Sequence, residues 1–326
     1  MPKLIATHSG SFHADDVFGV AVLACVFPEH TVIRTRNAEE IARADFAVDV
    51  GGVWDPATGR FDHHQRSFDG ARTSVDAKGA TVRAEGYASA GLVWREFGTA
   101  YVQQVGRAIG HVPDDPVLAR VAQDIDGSLV RYLDLVDTGA EMVAPGAFGL
   151  SSQVAAMNTT WIEEQALDGA AKARLQMKRF HEAMGIVQRF LERLVLRRIG
   201  QELAADKVRK AERLLDARVL HLAEGGMPWT SIVVDEMPEV LLVLYPESDE
   251  DGQRYILRTV PVAGGSFDAR IDLPQAWAGL RDEELAAVTG VPDATFCHTN
   301  LFIAVARSFG GGLRLAELVL QSPAEG

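Results

Sequence analysis

Leu4-Ile5-Ala6-Thr7-His8-Ser9-Gly10-Ser11-Phe12-His13-Ala14-Asp15-Asp16 decides how the chain is read. Its first four residues form a short strand. From Asp16 to Phe27 the apolar residues Val17, Val20, Ala21 and Ala24 recur on one helical stripe. A strand that passes through a polar loop into a helix opens a strand–helix–strand unit. Thr31-Val32-Ile33-Arg34 supplies a second strand, and Asp45 to Val50 a third, closed by Gly51-Gly52. The alternation predicts an α/β domain over residues 1–160, built on a doubly wound, mostly parallel sheet. Pro56 to Gly59 reads as the turn of a short hairpin. Gly91 to Gln104 and Val117 to Val136 read as further helices.

From Glu163 to about Leu222 the pattern is almost purely helical, which predicts a helical connector over residues 161–215. Between Lys172 and Arg213 stand twelve basic and five acidic side chains, a local balance of +7 in a chain of net charge -13. Such a stretch is either a solvated helix face or a surface that tracks phosphates, with Arg197 and Arg198 as test positions. After Gly225-Gly226 the character changes. Trp229 to Val234, Val240 to Tyr245, Arg254 to Val262 and Leu301 to Ala306 read as strands. Glu247 to Gly252 reads as an acidic hairpin loop and Asp282 to Val288 as a helix. Residues 216–326 are therefore expected to form a smaller α+β domain, with a frayed tail from Ser322 to Gly326.

The acidic balance excludes a polybasic membrane binder or a generally basic nucleic-acid coat, but not an enzyme with a local basic surface. Two cysteines, Cys25 and Cys297, cannot build a disulfide framework or a four-cysteine zinc site. No apolar run is long enough to span a bilayer and no targeting segment is legible, so the expected compartment is the cytoplasm.

The chemistry is expected at strand ends. His8 and His13 follow the first strand, Asp49 ends the third, and Phe61-Asp62-His63-His64-Gln65 follows the hairpin. Asp134 and Asp137 close a helix. In an open parallel sheet, loops at the carboxyl ends of the strands converge on one crevice. Each residue alone has a plainer reading. His8 fits a structural histidine, Asp15 and Asp16 a helix cap, Asp49 a turn, and Asp134 and Asp137 a solvated helix face. Together they fit a metal site. Imidazole plus carboxylate suits first-row divalent cations, manganese first, and no thiolate accompanies them. Several carboxylates are available to bridge two ions, which can turn a shared water into the hydroxide nucleophile for a phosphoryl group.

These blocks resemble the melanocyte-proliferating-gene family of DHH-like proteins, within the DHH phosphoesterase superfamily. Besides the stretches above, the resemblance rests on Val48-Asp49-Val50-Gly51-Gly52, Ser89-Ala90-Gly91-Leu92-Val93 and Val136-Asp137-Thr138-Gly139. It continues through Leu273 to Arg281 and Phe296-Cys297-His298. One departure stands out. The superfamily has a histidine followed by two aspartates one residue apart; here His13 takes the place of the first aspartate and Asp15 matches the second. The resemblance implies a 3′ to 5′ exonuclease on RNA with two manganese-like cations. It implies His8, His13 and Asp49 on one metal, and Asp15, Asp49, His63 and Asp137 on the other. Asp62 would orient a metal-ligating imidazole from behind, and His64 would meet the scissile phosphate or protonate the leaving oxygen. Asp134 stays a reserve ligand or a partner behind the ligands, and Asp16 an open case. The resemblance also implies that a C-terminal domain closes over the crevice. Its substrate contacts would come from His298, the glycine-rich Gly310, Gly311 and Gly312, and Arg281, with Arg258 and Arg270 on weaker grounds.

The leading expectation is thus a divalent-metal-dependent phosphodiesterase, a 3′–5′ exonuclease whose partner is single-stranded RNA or a short oligonucleotide, with no membrane. The same centre would serve a hydrolase of small phosphoesters or pyrophosphate, such as dinucleotides or nucleoside bisphosphates. A metal-stabilised binding protein without turnover is the third reading, and a homodimer stays open.

Overall fold

The first strand, β1 (Lys3–Thr7), buries Ile5 and Ala6 completely and ends where the polar loop begins. α1 (Ala14–Val26) is buried along its length from Ala14 to Ala24, so the stripe expected on one face is in fact core all round. β2 (His30–Arg34) pairs parallel with β1. α2 (Ala38–Arg43) follows, capped by the Asn37 side chain, which accepts from the N–H groups of Glu39 and Glu40. β3 (Phe46–Val48) lies parallel to β1 on its other side. β4 (Trp54–Asp55) and β5 (Arg60–Phe61) form the expected hairpin around Pro56 to Gly59, and β5 pairs parallel with β3. The sheet order is β2-β1-β3-β5-β4, parallel except for β4.

The computed structural model describes residues 2–75, 81–141, 144–249 and 252–322. The expected frayed tail beyond Ser322, and residues 250 and 251 of the acidic loop, lie outside them. A hairpin not read from the sequence follows the first sheet, β6 (Ala71–Val75) and β7 (Thr81–Gly86). α3 (Ser89–Ala108) packs along α1. α4 (Asp115–Ile125), a π-helical turn at Asp126–Val130 and α5 (Arg131–Asp137) make the single helix expected over this region, with one register change inside it. The short α6 (Leu150–Ala155) and α7 (Trp161–Glu164) lead to α8 (Gly169–Arg209).

The chain packs as two units, Met1–Ile199 and Gly200–Gly326. The basic helix α8 is shared between them. Phe180, Ala183, Val187, Leu191, Val195 and Ile199 join the core of the first unit, and Val208 joins a cluster of the second. Its charge is largely absorbed locally. Lys172, Lys178, Arg179, Arg198, Lys207 and Arg209, with Arg213 just beyond, all pair with carboxylates.

The second unit is a six-stranded mixed sheet. β8 (Glu212–Leu214) and β9 (Val219–His221) lead into α9 (Thr230–Glu236), β10 (Leu242–Asp249) and β11 (Gly252–Thr259). Then come α10 (Asp282–Thr289), β12 (Ala294–Cys297), β13 (Ile303–Ala306) and α11 (Phe309–Gln321). The order is β12-β13-β11-β10-β9-β8. α11 packs against β10, β11 and β13. The strand expected at Trp229 to Val234 is α9 instead. Its Trp-Thr-Ser-Ile-Val-Val composition favours a strand, but Trp229, Val233 and Met237, spaced by four, bury together on one helical face.

Gly59 sets the hairpin that delivers the residues after β5. It has φ +72°, and a Cβ there would lie 2.2 Å from the Asp45 carbonyl oxygen. Gly110 has the same φ with open space around it. Gly59→Ala is therefore expected to lose about 2–4 kcal/mol, backbone strain plus overpacking, and Gly110→Ala only about 1–2 kcal/mol. Urea denaturation midpoints check this; equal losses would show that the Asp45 contact relaxes freely.

Candidate metal centre

The parallel register lines up three strand ends. Thr7 pairs with Val48, and Val48 pairs with Phe61. The next residues, His8, Asp49 and Asp62, therefore leave the sheet side by side, one strand spacing apart. Asp49 adopts φ +54°, a left-handed conformation that aspartate tolerates better than most residues. Its carboxylate meets His8 Nε2 at 3.4 Å, His64 Nδ1 at 3.3 Å and His63 Nε2 at 3.6 Å, and accepts from Ser89 Oγ at 3.3 Å. His8 Nε2 is also 3.4 Å from Asp16, and His63 Nε2 is 3.2 Å from Asp137. Both Nε2 atoms are buried, yet neither makes a hydrogen bond of proper direction. Two buried imidazole nitrogens without hydrogen bonds, facing shared carboxylates, suit a cation-binding site.

The loop carrying His13 is tied down from both sides. The Asn158 amide accepts from Phe12 N and donates to Phe12 O, each at 2.8 Å. Arg34 donates to Gly10 O at 2.6 Å. His13 itself is exposed, and its ring centroid is 5.7 Å from that of His8. His13 N donates to Asp16 at 2.8 Å, so Asp16 works as the helix-capping carboxylate. Asp15 is buried and accepts from Ser89 N at 3.1 Å and Ala90 N at 2.6 Å, the first turn of α3. Ligand atoms come within 4.8 Å of one another in three sets: His8, His13 and Asp49; Asp49, His63 and His64; Asp15, His63 and Asp137. The donor set fits divalent cations, oxygen-rich with imidazole and without sulfur.

The electrostatics follow from crowding carboxylates out of water. Burial pushes the Asp15 carboxyl well above its usual range, with Asp49 and Asp137 adding to the effect. Burial also lifts Asp16 to about 6, against the pull of His8. Asp49 goes the other way: burial is outweighed by His8, His64 and His63, and its pKa is lowered. Burial disfavours charged His8 and His63, but Asp49 and Asp16 raise the first, and Asp137 and Asp49 the second.

Other expected residues are not members of the three sets. Asp134 is fully buried and held by Arg72 and by Gly91 N at 3.0 Å, and its charge adds to the rise at Asp15. Asp62 accepts from His64 Nδ1 at 2.8 Å, so the imidazole it orients is His64, whose side chain is 62% exposed. His298, Arg281 and Gly310 to Gly312 belong to the second unit. The three glycines stand in the first turn of α11. A Cβ on Gly311 would lie 2.2 Å from Asp293, and one on Gly312 would lie 2.7 Å from Leu244. Arg270 is bound by carbonyls at the end of α9, Val234, Met237 and Val240, which gives it a structural task in place of the expected phosphate contact. Sequence reasoning missed Arg36, whose guanidinium is 3.4 Å from His8 Nδ1, and Arg72. Arg36 stands just beyond β2, so the strand-end rule that selected His8 points to it as well. Arg72 carries no such signal.

A parallel-sheet α/β unit with a buried His/Asp centre at its strand ends defines the class of this protein. The chain belongs to the family described as MYG1_exonuc, Uncharacterised protein family (UPF0160), whose model matches residues 4–320. The MYG1 exonuclease of Mus musculus is 32% identical, over 99% of this chain and 86% of that protein. The MYG1 exonuclease of Homo sapiens is 31% identical, over 98% and 86%. The MYG1 protein of Chlamydia muridarum is 28% identical, over 94% and 92%.

Because Asp15, His8 and His63 all hold their protons more tightly than usual, a cation must displace protons to bind. Manganese affinity is therefore expected to strengthen as pH rises from about 6 to about 8, with net proton release. Titration calorimetry in two buffers of different ionisation enthalpy reads this. A pH-independent affinity would remove these residues from the ligand set.

Proposed function

We propose that this chain is a divalent-metal-dependent phosphodiesterase, using two manganese ions to remove nucleotides from the 3′ end of single-stranded RNA or short oligonucleotides. The observation that carries the reading is the pair of orphaned Nε2 atoms, on His8 and His63, facing one shared carboxylate, Asp49. The names of the relatives, MYG1 exonuclease, support it. His8, His13 and Asp49 would hold one ion, and Asp15, Asp49, His63 and Asp137 the other. When bound, a cation pair supplies an activated water and offsets charge on the phosphoryl oxygens.

The chain's own residues prepare the rest. Asp49, with its lowered pKa, stays a carboxylate and joins the two ligand sets. Ser89 Oγ and the left-handed backbone at Asp49 keep it in place. Asp62 fixes His64 through Nδ1 and also accepts from Gly52 N at 2.6 Å, so the imidazole is held from a rigid base. Nε2 is then the His64 nitrogen left to a substrate, placed to hydrogen-bond a phosphate oxygen or pass a proton to the leaving oxygen.

A second reading, hydrolysis of small phosphoesters such as dinucleotides, is favoured by one observation. Seven of the twelve cations between Lys172 and Arg213 are engaged by carboxylates, which weakens that helix as a track for a long polyanion.

End-labelled single-stranded RNA, given to metal-stripped protein and then to protein reloaded with manganese, is expected to shorten stepwise from its 3′ end. Asp49→Ala should lose metal and slow cleavage by at least about a hundredfold. An Asp49→Ala variant with full metal content and activity would end the bridging assignment. Cleavage of a dinucleotide but not of a chain of about twenty residues would select the second reading.

A further inference from the structure

The hairpin of β6 and β7 grips the helix that carries Asp137. Arg72 on β6 stands opposite Glu85 on β7 in the strand register. Arg72 donates from Nε and Nη2 to the two Asp126 oxygens, at 2.8 and 2.6 Å, and from Nη1 to Asp134. Glu85 accepts from Arg131, through Nη2 at 2.6 Å and through Nε. Asp126 opens the π-helical turn and Arg131 opens α5 just after it, so the hairpin holds both ends of that turn. The Arg72 side chain is 12% exposed, and its guanidinium lies over the Tyr87 ring at 4.2 Å.

The turn explains how one guanidinium meets two acids eight residues apart. At about 100° per residue, eight α-helical steps would leave Asp134 roughly 80° round the helix from Asp126. A π-helical turn absorbs one residue, so eight steps do the work of seven. The two carboxylates then return to within about 20° of one face. Asp134 also meets the first turn of α3, at Gly91 N. Asp15 takes Ser89 N and Ala90 N from that same turn. One helical turn beyond Asp134 stands Asp137, 3.2 Å from His63 Nε2. Through Asp134, Arg72 therefore bears on both carboxylates of the Asp15, His63 and Asp137 set. The His8, His13 and Asp49 set is carried instead by β1, the loop after it and the end of β3.

We propose that Arg72 is a positioning residue of the metal centre, fixing one of its two cation sets by holding Asp134 and the π-helical turn in register. The inference deepens the proposed function and rests on its two ions. Without the guanidinium, Asp134 keeps a fully buried charge with no cation beside it. The turn is then free to revert to α-helical register, which would swing Asp137 about 100° away from His63. A salt bridge that merely pinned the hairpin would leave the ligands indifferent to its loss.

The test uses the full chain, stripped of metal and titrated with manganese, read by equilibrium dialysis and electron paramagnetic resonance. The unaltered chain is expected to take up two ions and to give the spectrum of a spin-coupled pair. Arg72→Lys keeps the charge without the fork; it is expected to weaken one ion about tenfold and leave the other unchanged. Arg72→Gln is expected to weaken the same ion by up to about a hundredfold. Both variants should then show the spectrum of an isolated ion at manganese concentrations that fill the unaltered chain. Glu85→Gln removes the hairpin's grip on Arg131; it is expected to lower the urea midpoint and keep both ions. Circular dichroism confirms folding, and Arg72→Lys decides alone where Arg72→Gln does not fold. Two ions held at unaltered affinity in the folded Arg72 variants overturn the proposal, as does equal loss of an ion in Glu85→Gln. Both of these outcomes leave the two-ion reading standing. An unaltered chain that binds no manganese ends that reading, and this inference falls with it.

Discussion

Asp49 is the buried carboxylate on which the arrangement of the first unit turns. A carboxylate out of water needs donors, and four other acids of the region find backbone N–H groups. Asp15 takes those of Ser89 and Ala90, Asp16 that of His13, Asp62 those of Gly52 and His64, and Asp134 that of Gly91. Asp49 has none among the described residues. It has the Ser89 hydroxyl and three imidazoles, two of which direct a buried Nε2 toward it without completing a hydrogen bond. Leaving one partner of a buried charged group unpaired is costly, so an incomplete cluster at this depth is held for a purpose other than stability.

The same acids also build the fold. Asp15 lies in the first turn of α1 yet satisfies the first turn of α3, so one carboxylate joins the two central helices and faces His63 and Asp137. Asp134 sits one turn before Asp137 on α5 and is locked by Arg72, which also grips Asp126 in the π-helical turn. Gly91 is what lets this happen, since a Cβ there would lie 2.0 Å from Asp134. Arg72 lies in turn over the Tyr87 ring at 4.2 Å. The ligand side chains are thus carried on elements whose own polar ends are satisfied by neighbouring acids, which limits their freedom before any cation arrives.

Much of this was legible from residue order, for a physical reason. A parallel sheet converts sequence position into spatial position at its strand ends, so His8, His13, Asp15, Asp49, His63 and His64 could be expected around one crevice. The α/β character of the first unit and the mixed strands of the second followed from hydrophobic period. What was not legible depends on packing between distant segments. Asp134 and Asp137 look alike on a helix; only the β6–β7 hairpin, whose Arg72 reaches one and not the other, tells them apart. Trp229 to Val234 has strand composition and becomes helix because Trp229, Val233 and Met237 share a buried face. Gly310, Gly311 and Gly312 were expected from the resemblance to meet substrate; here they open α11, where larger side chains at Gly311 and Gly312 would strike Asp293 and Leu244.

Charge makes the same point on a larger scale. The densest basic stretch in the sequence, from Lys172 to Arg213, invites a phosphate-tracking reading, yet most of its cations close on nearby carboxylates. Arg189, Arg193 and Arg197, spaced by four on α8, remain as an exposed stripe without such partners among the described residues. In the second unit the basic residues are sparse in sequence, but alternation along β11 and the cross-strand register bring Arg254 and Arg258 to the same face as Phe296, where Arg281 joins them. Linear charge density measures neighbours along the chain, whereas a polyanion meets neighbours across a surface. In an acidic protein the second kind of neighbour decides where an anionic group can settle.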